Sequence, residues 1–168
     1  MRPLDKALLG AAAGVVATMA MTATMRRLHA MLPEDERYPL PPREIVDRSV
    51  PVADERKGRS RTLLAHFGFG GLTGALFTLL PIIRGRGVAY GIAVWTLSYL
   101  GWIPAAGILA PAHRHPLRRN VLMIAAHVIW GLTLSTSLKE MEAAAAEAFA
   151  SNGKRPAGSK KQAERKSP

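Results

Sequence analysis

Four stretches of the chain, 7–25, 62–83, 87–110 and 121–138, contain no Lys, Arg, Asp or Glu, and the charged residues crowd between and after them. Each is about 18 to 24 residues long, the length a helix needs to cross a lipid hydrocarbon core. A soluble helix of that length would show a polar stripe every three or four positions, and none of the four does. The pattern predicts an all-α, polytopic membrane protein with four transmembrane helices. The first run also resembles a signal peptide in its basic "MRPLDK" and apolar "ALLGAAAGVVATMA". It continues to Met25 without a polar cleavage region, so retention as a helix is expected.

Within the runs, small residues fall at helical spacing. Gly10, Gly14 and Thr18 share one face, as do His66, Gly70, Thr73, Gly74 and Phe77 on the second run. Gly87 and Gly91 open the third run, and His127, Gly131 and Ser135 align on the fourth. Small-xxx-small faces let helix backbones approach closely in lipid, so Gly10, Gly14, Gly70, Gly74, Gly87, Gly91 and Gly131 are the expected packing residues. The aromatic stripe Trp95, Tyr99 and Trp102 is expected to pack against Gly70, Gly71 and Gly74. Pro104 should kink the third helix near its far end.

The faces also repeat. Runs one and three each carry Gly-x-x-x-Gly, Gly10 and Gly14, then Gly87 and Gly91. Runs two and four each carry Ala-His-x-x-aromatic-Gly, at 65–70 and 126–131. The expected architecture is therefore two helical-hairpin repeats inserted the same way round. "RGRG" at 84–87 is short enough to make runs two and three neighbours. His66 and His127 then lie on one side of the bilayer, roughly 8 and 12 Å inward from Arg61 and Arg119 at about 1.5 Å per residue.

The polar loop 26–61 is nearly balanced, with nine basic and seven acidic residues, and its prolines exclude one long helix. "PPREIVDRSV" reads as a short helix with Pro at its start, laying Leu40, Ile45 and Val46 on the membrane surface. Residues 1–138 make the membrane domain. Residues 139–168 begin with the helix-forming "KEMEAAAAEAFA" and end in a basic tail, with six basic residues and one acid over 153–168. That tail reads as disordered, with anionic lipid as a partner it could contact. The bilayer is the principal partner, a second copy of the chain in a homo-oligomer is the other partner considered, and no nucleic-acid partner is expected. Arginine clusters before runs two and four place both termini outside by the positive-inside rule.

An ionisable residue inside a membrane run is a candidate for function, and His66 and His127 are the two here. Three readings stay open. Each ring can make an interhelical hydrogen bond, to Thr18, Thr22, Thr96 or Ser98. The pair can sense or relay protons, although no Asp or Glu occurs in any of the four runs. Or it can ligate a metal or haem, with His113 and His115 as further donors. No cofactor is implied by a motif. The glycines of "GFGGLTG" miss dinucleotide spacing, and no P-loop, HExxH or nucleophile elbow occurs, so no enzymatic activity is expected. Without Cys, thiol chemistry and disulfides are excluded.

"GVVATMAMTATMRRLHAMLPEDERYPLPPREI", "AHFGFGGLTGAL", "AVWTLSYLGWIPAAGIL" and "AAHVIWG" together resemble the YagU-like family of small bacterial inner-membrane proteins over roughly residues 5–138. The resemblance implies a multi-pass protein of a bacterial inner membrane. Its biochemical function is undefined, so the expectation is a structural or stress-related membrane component, with a pH- or metal-responsive transport or sensor unit as the alternative. It carries over no catalytic residue.

Overall fold

The computed structural model describes residues 2–50, 54–80 and 86–153, apart from the side chains of 149–153. Among them the regular structure is helical. α1 spans Pro3–Ala30, α2 Pro41–Ser49, α3 Glu55–Leu79 and α4 Gly87–Thr96. A π-helical stretch, Leu97–Trp102, joins α4 to the short α5 (Ile103–Ala105), and α6 covers Leu117–Gly153. Four helices are long and apolar enough to cross a membrane: α1, α3, the α4–α5 unit and α6. Leu8, Met19, Leu64, Leu72, Leu97 and Leu132 are exposed on them, an apolar outer surface suited to lipid rather than water.

The helices run past the apolar stretches at several ends. α1 continues through Arg26–Ala30 and α3 starts at Glu55, because polar residues with good helix propensity extend each rod beyond the apolar run. Asp54 caps α3, accepting from the Arg56 amide at 2.9 Å. Residues 81–83 and Arg84–Gly85 of the expected turn lie outside the described residues, as does the basic tail from Lys154 onward. The expected third helix, 87–110, ends earlier, at Ala105. Gly107 adopts φ +71°, and the amides of Gly107 and Ile108 donate to the carbonyls of Pro104 and Ile103. This Schellman closure satisfies the last carbonyls and turns the chain away. The break precedes Pro104: its ring crowds the Leu100 carbonyl and it has no N–H to donate. The helix widens to π over the preceding turn, with Gly101 at φ −107°, ψ −108°.

Packing follows the small residues. α1 lies against α3 where Gly10 and Gly14 meet Gly70, Gly74 and Thr78. α4 lies against α6 where Gly87 and Gly91 meet Gly131, Ser135 and the His127 carbonyl. A Cβ on any of these seven glycines would overlap facing atoms, backbone among them except at Gly70, where Thr18 Oγ1 stands in the way. α1 and α6 complete the core with Ala13, Ala17, Met21, Ala126, Trp130 and Leu134. The neighbours of Gly70, Gly71 and Gly74 are thus on α1, not the expected aromatic stripe. Trp95 stacks instead on Tyr99, and Trp102 meets Phe69.

Candidate functional site: a histidine-lined intramembrane cavity

α3 and α4, expected to be neighbours across the short turn, barely pack on each other among the described residues, since each lies instead against α1 or α6; Tyr90 bridges them. Its hydroxyl donates to the Thr73 carbonyl at 2.7 Å, and its ring sits between Phe77 and Trp130. Toward the other end the third span loses its straight course at the π stretch, and a cavity of about 300 Å³ opens between the helices. His66 and Phe69 line it from α3, Ser98 and Trp102 from the π stretch, and Met123 and His127 from α6. Pro41, Pro42, Ile45 and Val46 of α2 close it from the loop side. The apolar face of α2 therefore covers a cavity instead of lying on lipid as expected. The reason is local: Pro41 is buried against the bundle and fixes where α2 starts.

The two imidazoles reach this cavity differently. His66 Nε2 is 3.2 Å from Thr22 Oγ1 on α1. His127 turns to its own helix, with Nδ1 2.8 Å from the Met123 carbonyl. The other expected partners are engaged elsewhere. Thr18 donates to the Gly14 carbonyl and accepts from Trp130 Nε1, Thr96 donates to Ile92, and Ser98 accepts from Trp102 Nε1. His115 Nε2 bonds the Ala110 carbonyl, and His29 Nε2 the Tyr38 carbonyl. His113 and His115 are not brought to the pair. Among the described residues no group of three or more His, Cys, Asp or Glu could hold a metal ion.

Above the cavity lies a charged cluster that sequence reasoning did not single out. Arg119, only 6% exposed, bonds Glu44 of α2 at 2.7 Å, and its guanidinium lies 4.6 Å from the Tyr38 ring centroid. Arg48 also reaches Glu44, Arg118 pairs with Glu36, and Arg43 joins Asp47 and Glu55. The Glu44–Arg119 and Glu36–Arg118 pairs fasten the 26–61 loop onto α6, and the others brace the loop internally. Arg119 was legible in principle: Leu122, Met123 and Ala126 are three, four and seven residues on, so it heads the buried stripe of α6. Burial of the Tyr38 phenol pushes its pKa above the usual range, opposed by Arg119. Burial lowers the pKa of His115, and nearby Arg119 adds to that. Tyr99 Oη and Arg119 Nε are buried without a hydrogen-bond partner.

No protein-family model matches the chain, and neither does any curated protein or solved structure.

Proposed function

We propose that the chain is a non-enzymatic, multi-pass protein of a bacterial inner membrane, of the YagU-like type, whose working part is a binding cavity shared by His66 and His127. Two helical-hairpin repeats build it, with both termini on the periplasmic side, as the arginines before α3 and α6 argue. The observation that carries the reading is that both intramembrane imidazoles line one cavity, although they come from helices joined by a long stretch of chain. A purely architectural role accounts for the glycine seams but not for two polar rings turned to one apolar space. Binding is favoured over turnover by the lining itself, which is mainly apolar: its polar groups are two imidazoles, the Ser98 hydroxyl, the Tyr99 phenol and the Trp102 indole, with no carboxylate or amine among the described lining residues.

Native mass spectrometry of the protein released from nanodiscs tests this. A small apolar molecule should remain bound, and Val46→Trp, filling the cavity from α2, should expel it. Leu72→Trp, on an exposed position of α3, should not. Absence of any bound or captured molecule in all three proteins would leave the architectural role.

A further inference from the structure

The hydrogen bonds of the two histidines define what they can still do. Thr22 Oγ1 donates to the Thr18 carbonyl at 2.7 Å, so toward His66 its oxygen can only accept. His66 Nε2 therefore carries the ring hydrogen and donates to Thr22, which leaves Nδ1 with a lone pair. A carbonyl has no hydrogen to give, so His127 Nδ1 donates to Met123, and its Nε2 is left bare. Each neutral ring thus keeps one strong acceptor, and no described residue bonds either of them. The surroundings are greasy: Met21, Ile45, Val46, Phe69 and Ile103 are all cavity neighbours.

Access is lateral. Phe69 is 40% and Trp102 47% exposed, and their rings, 6.3 Å apart, stand on the outside of the bundle at the cavity. Against the loop side, α2 is held down by the Glu44–Arg119 pair. A cavity open toward lipid and roofed toward water admits molecules that partition into the bilayer. Its volume, about 300 Å³, is at the lower end for ligand cavities and holds a ring or a short stretch of chain, not a whole lipid.

We infer that the cavity takes an amphiphile from the lipid phase whose polar end is a hydroxyl or phenol, donating its one hydrogen to the bare nitrogen of His66 or of His127 while its apolar tail leaves past the exposed Phe69 and Trp102 rings. The inference rests on the binding-cavity reading above. An acyl chain alone would fill the space but meet neither acceptor, and a carboxylate has no hydrogen to give to either.

A matched pair of probes tests it: a 4-alkylphenol and its methyl ether, equal in tail and ring but differing in the hydrogen-bond donor. Binding is read on the nanodisc-embedded protein by native mass spectrometry and by Trp fluorescence. The phenol should bind roughly tenfold more tightly, the scale of one net hydrogen bond. At least one of His127→Phe and His66→Phe should reduce that preference while still binding the ether, which also reports that the variant is folded. Equal binding of phenol and ether by the wild-type protein overturns the hydroxyl assignment and leaves the cavity reading standing. Failure of both probes to bind overturns both. Phenol preference kept in full in both folded variants places the acceptor elsewhere and overturns the role of the histidines.

Discussion

The α1–α3 seam and the α4–α6 seam use the same device and end differently. Gly14 opposes Gly70 and Gly74 in the first; Gly87 opposes Gly131 and Ser135 in the second. In these contacts Gly14 stands where Gly87 stands, one helical turn from the Gly10–Gly87 match suggested by spacing. Gly87 is the first residue of α4, so no earlier turn exists to take the place of Gly10. Eight residues on, the equivalent positions are Thr22 and Trp95. Thr22 offers an oxygen and receives His66. An indole offers only a donor; Trp95 Nε1 is buried without a partner, and His127 bonds its own helix. The aromatic residues of the two histidine segments diverge as well. Trp130 is buried and donates to Thr18, whereas Phe69 faces outward beside Trp102. Like backbone seams can thus carry unlike polar ends.

The largest effect should come from the contact that fastens the loop over both seams. Arg119→Ala removes the buried partner of Glu44, which keeps the exposed Arg48, so the loss should approach without reaching the about 3–5 kcal/mol of a fully buried pair. Thermal unfolding in detergent should shift far more for Arg119→Ala than for Arg59→Ala, whose pair with Glu55 is exposed. Equal shifts would mean that α2 is not anchored this way.

The seams themselves come next. Gly14→Leu and Gly91→Leu should each destabilise by roughly 1–3 kcal/mol or more, as overpacking against a facing backbone demands. Gly68→Leu should cost little, since open space surrounds that position. A difference between Gly14 and Gly91 would rank the two seams.

Smaller still is the hydroxyl that distinguishes them. Thr22→Val removes the partner of His66 and should cost about 1 kcal/mol. Unfolding curves that overlay those of the wild-type protein would remove Thr22 from the explanation of the asymmetry.

The smallest effect is pH dependence at the loop. Burial lowers the His115 pKa from its ordinary 6.5. The unfolded chain therefore takes up a proton more readily than the folded one, and stability falls as pH drops through about 6.5. His115→Gln should flatten that part of the stability–pH curve; an unchanged slope would remove His115 as a contributor.

Much of the fold was legible because the lipid constraint is written in runs of uncharged residues. The runs located α1, α3, the α4–α5 unit and α6, but not their ends. Charge marks where lipid stops, whereas helix propensity carries Arg26–Ala30 and Glu55–Arg61 further. At Gly107 the opposite holds, since an apolar run continues to Ala110 while a left-handed glycine has already ended the helix. Spacing singled out His66 and His127 but not their common cavity. That depends on the π stretch and on α2 folding back, through contacts as remote in sequence as Glu44 and Arg119. The divergent ends of the seams were hidden because Thr22 and Trp95 become equivalent only once the helices are in register.

The central claim is that the two histidine positions face one cavity. The chain has no cysteine, so His66→Cys and His127→Cys can be introduced together without background. A bifunctional thiol reagent with a short spacer is then applied in nanodiscs, and the intact mass is measured. One reagent bridging both cysteines is the predicted product, and adding Val46→Trp should suppress it; Leu72→Cys with His127→Cys should give no bridge. Two separate single additions to the double variant, with no bridged species, would contradict the shared cavity.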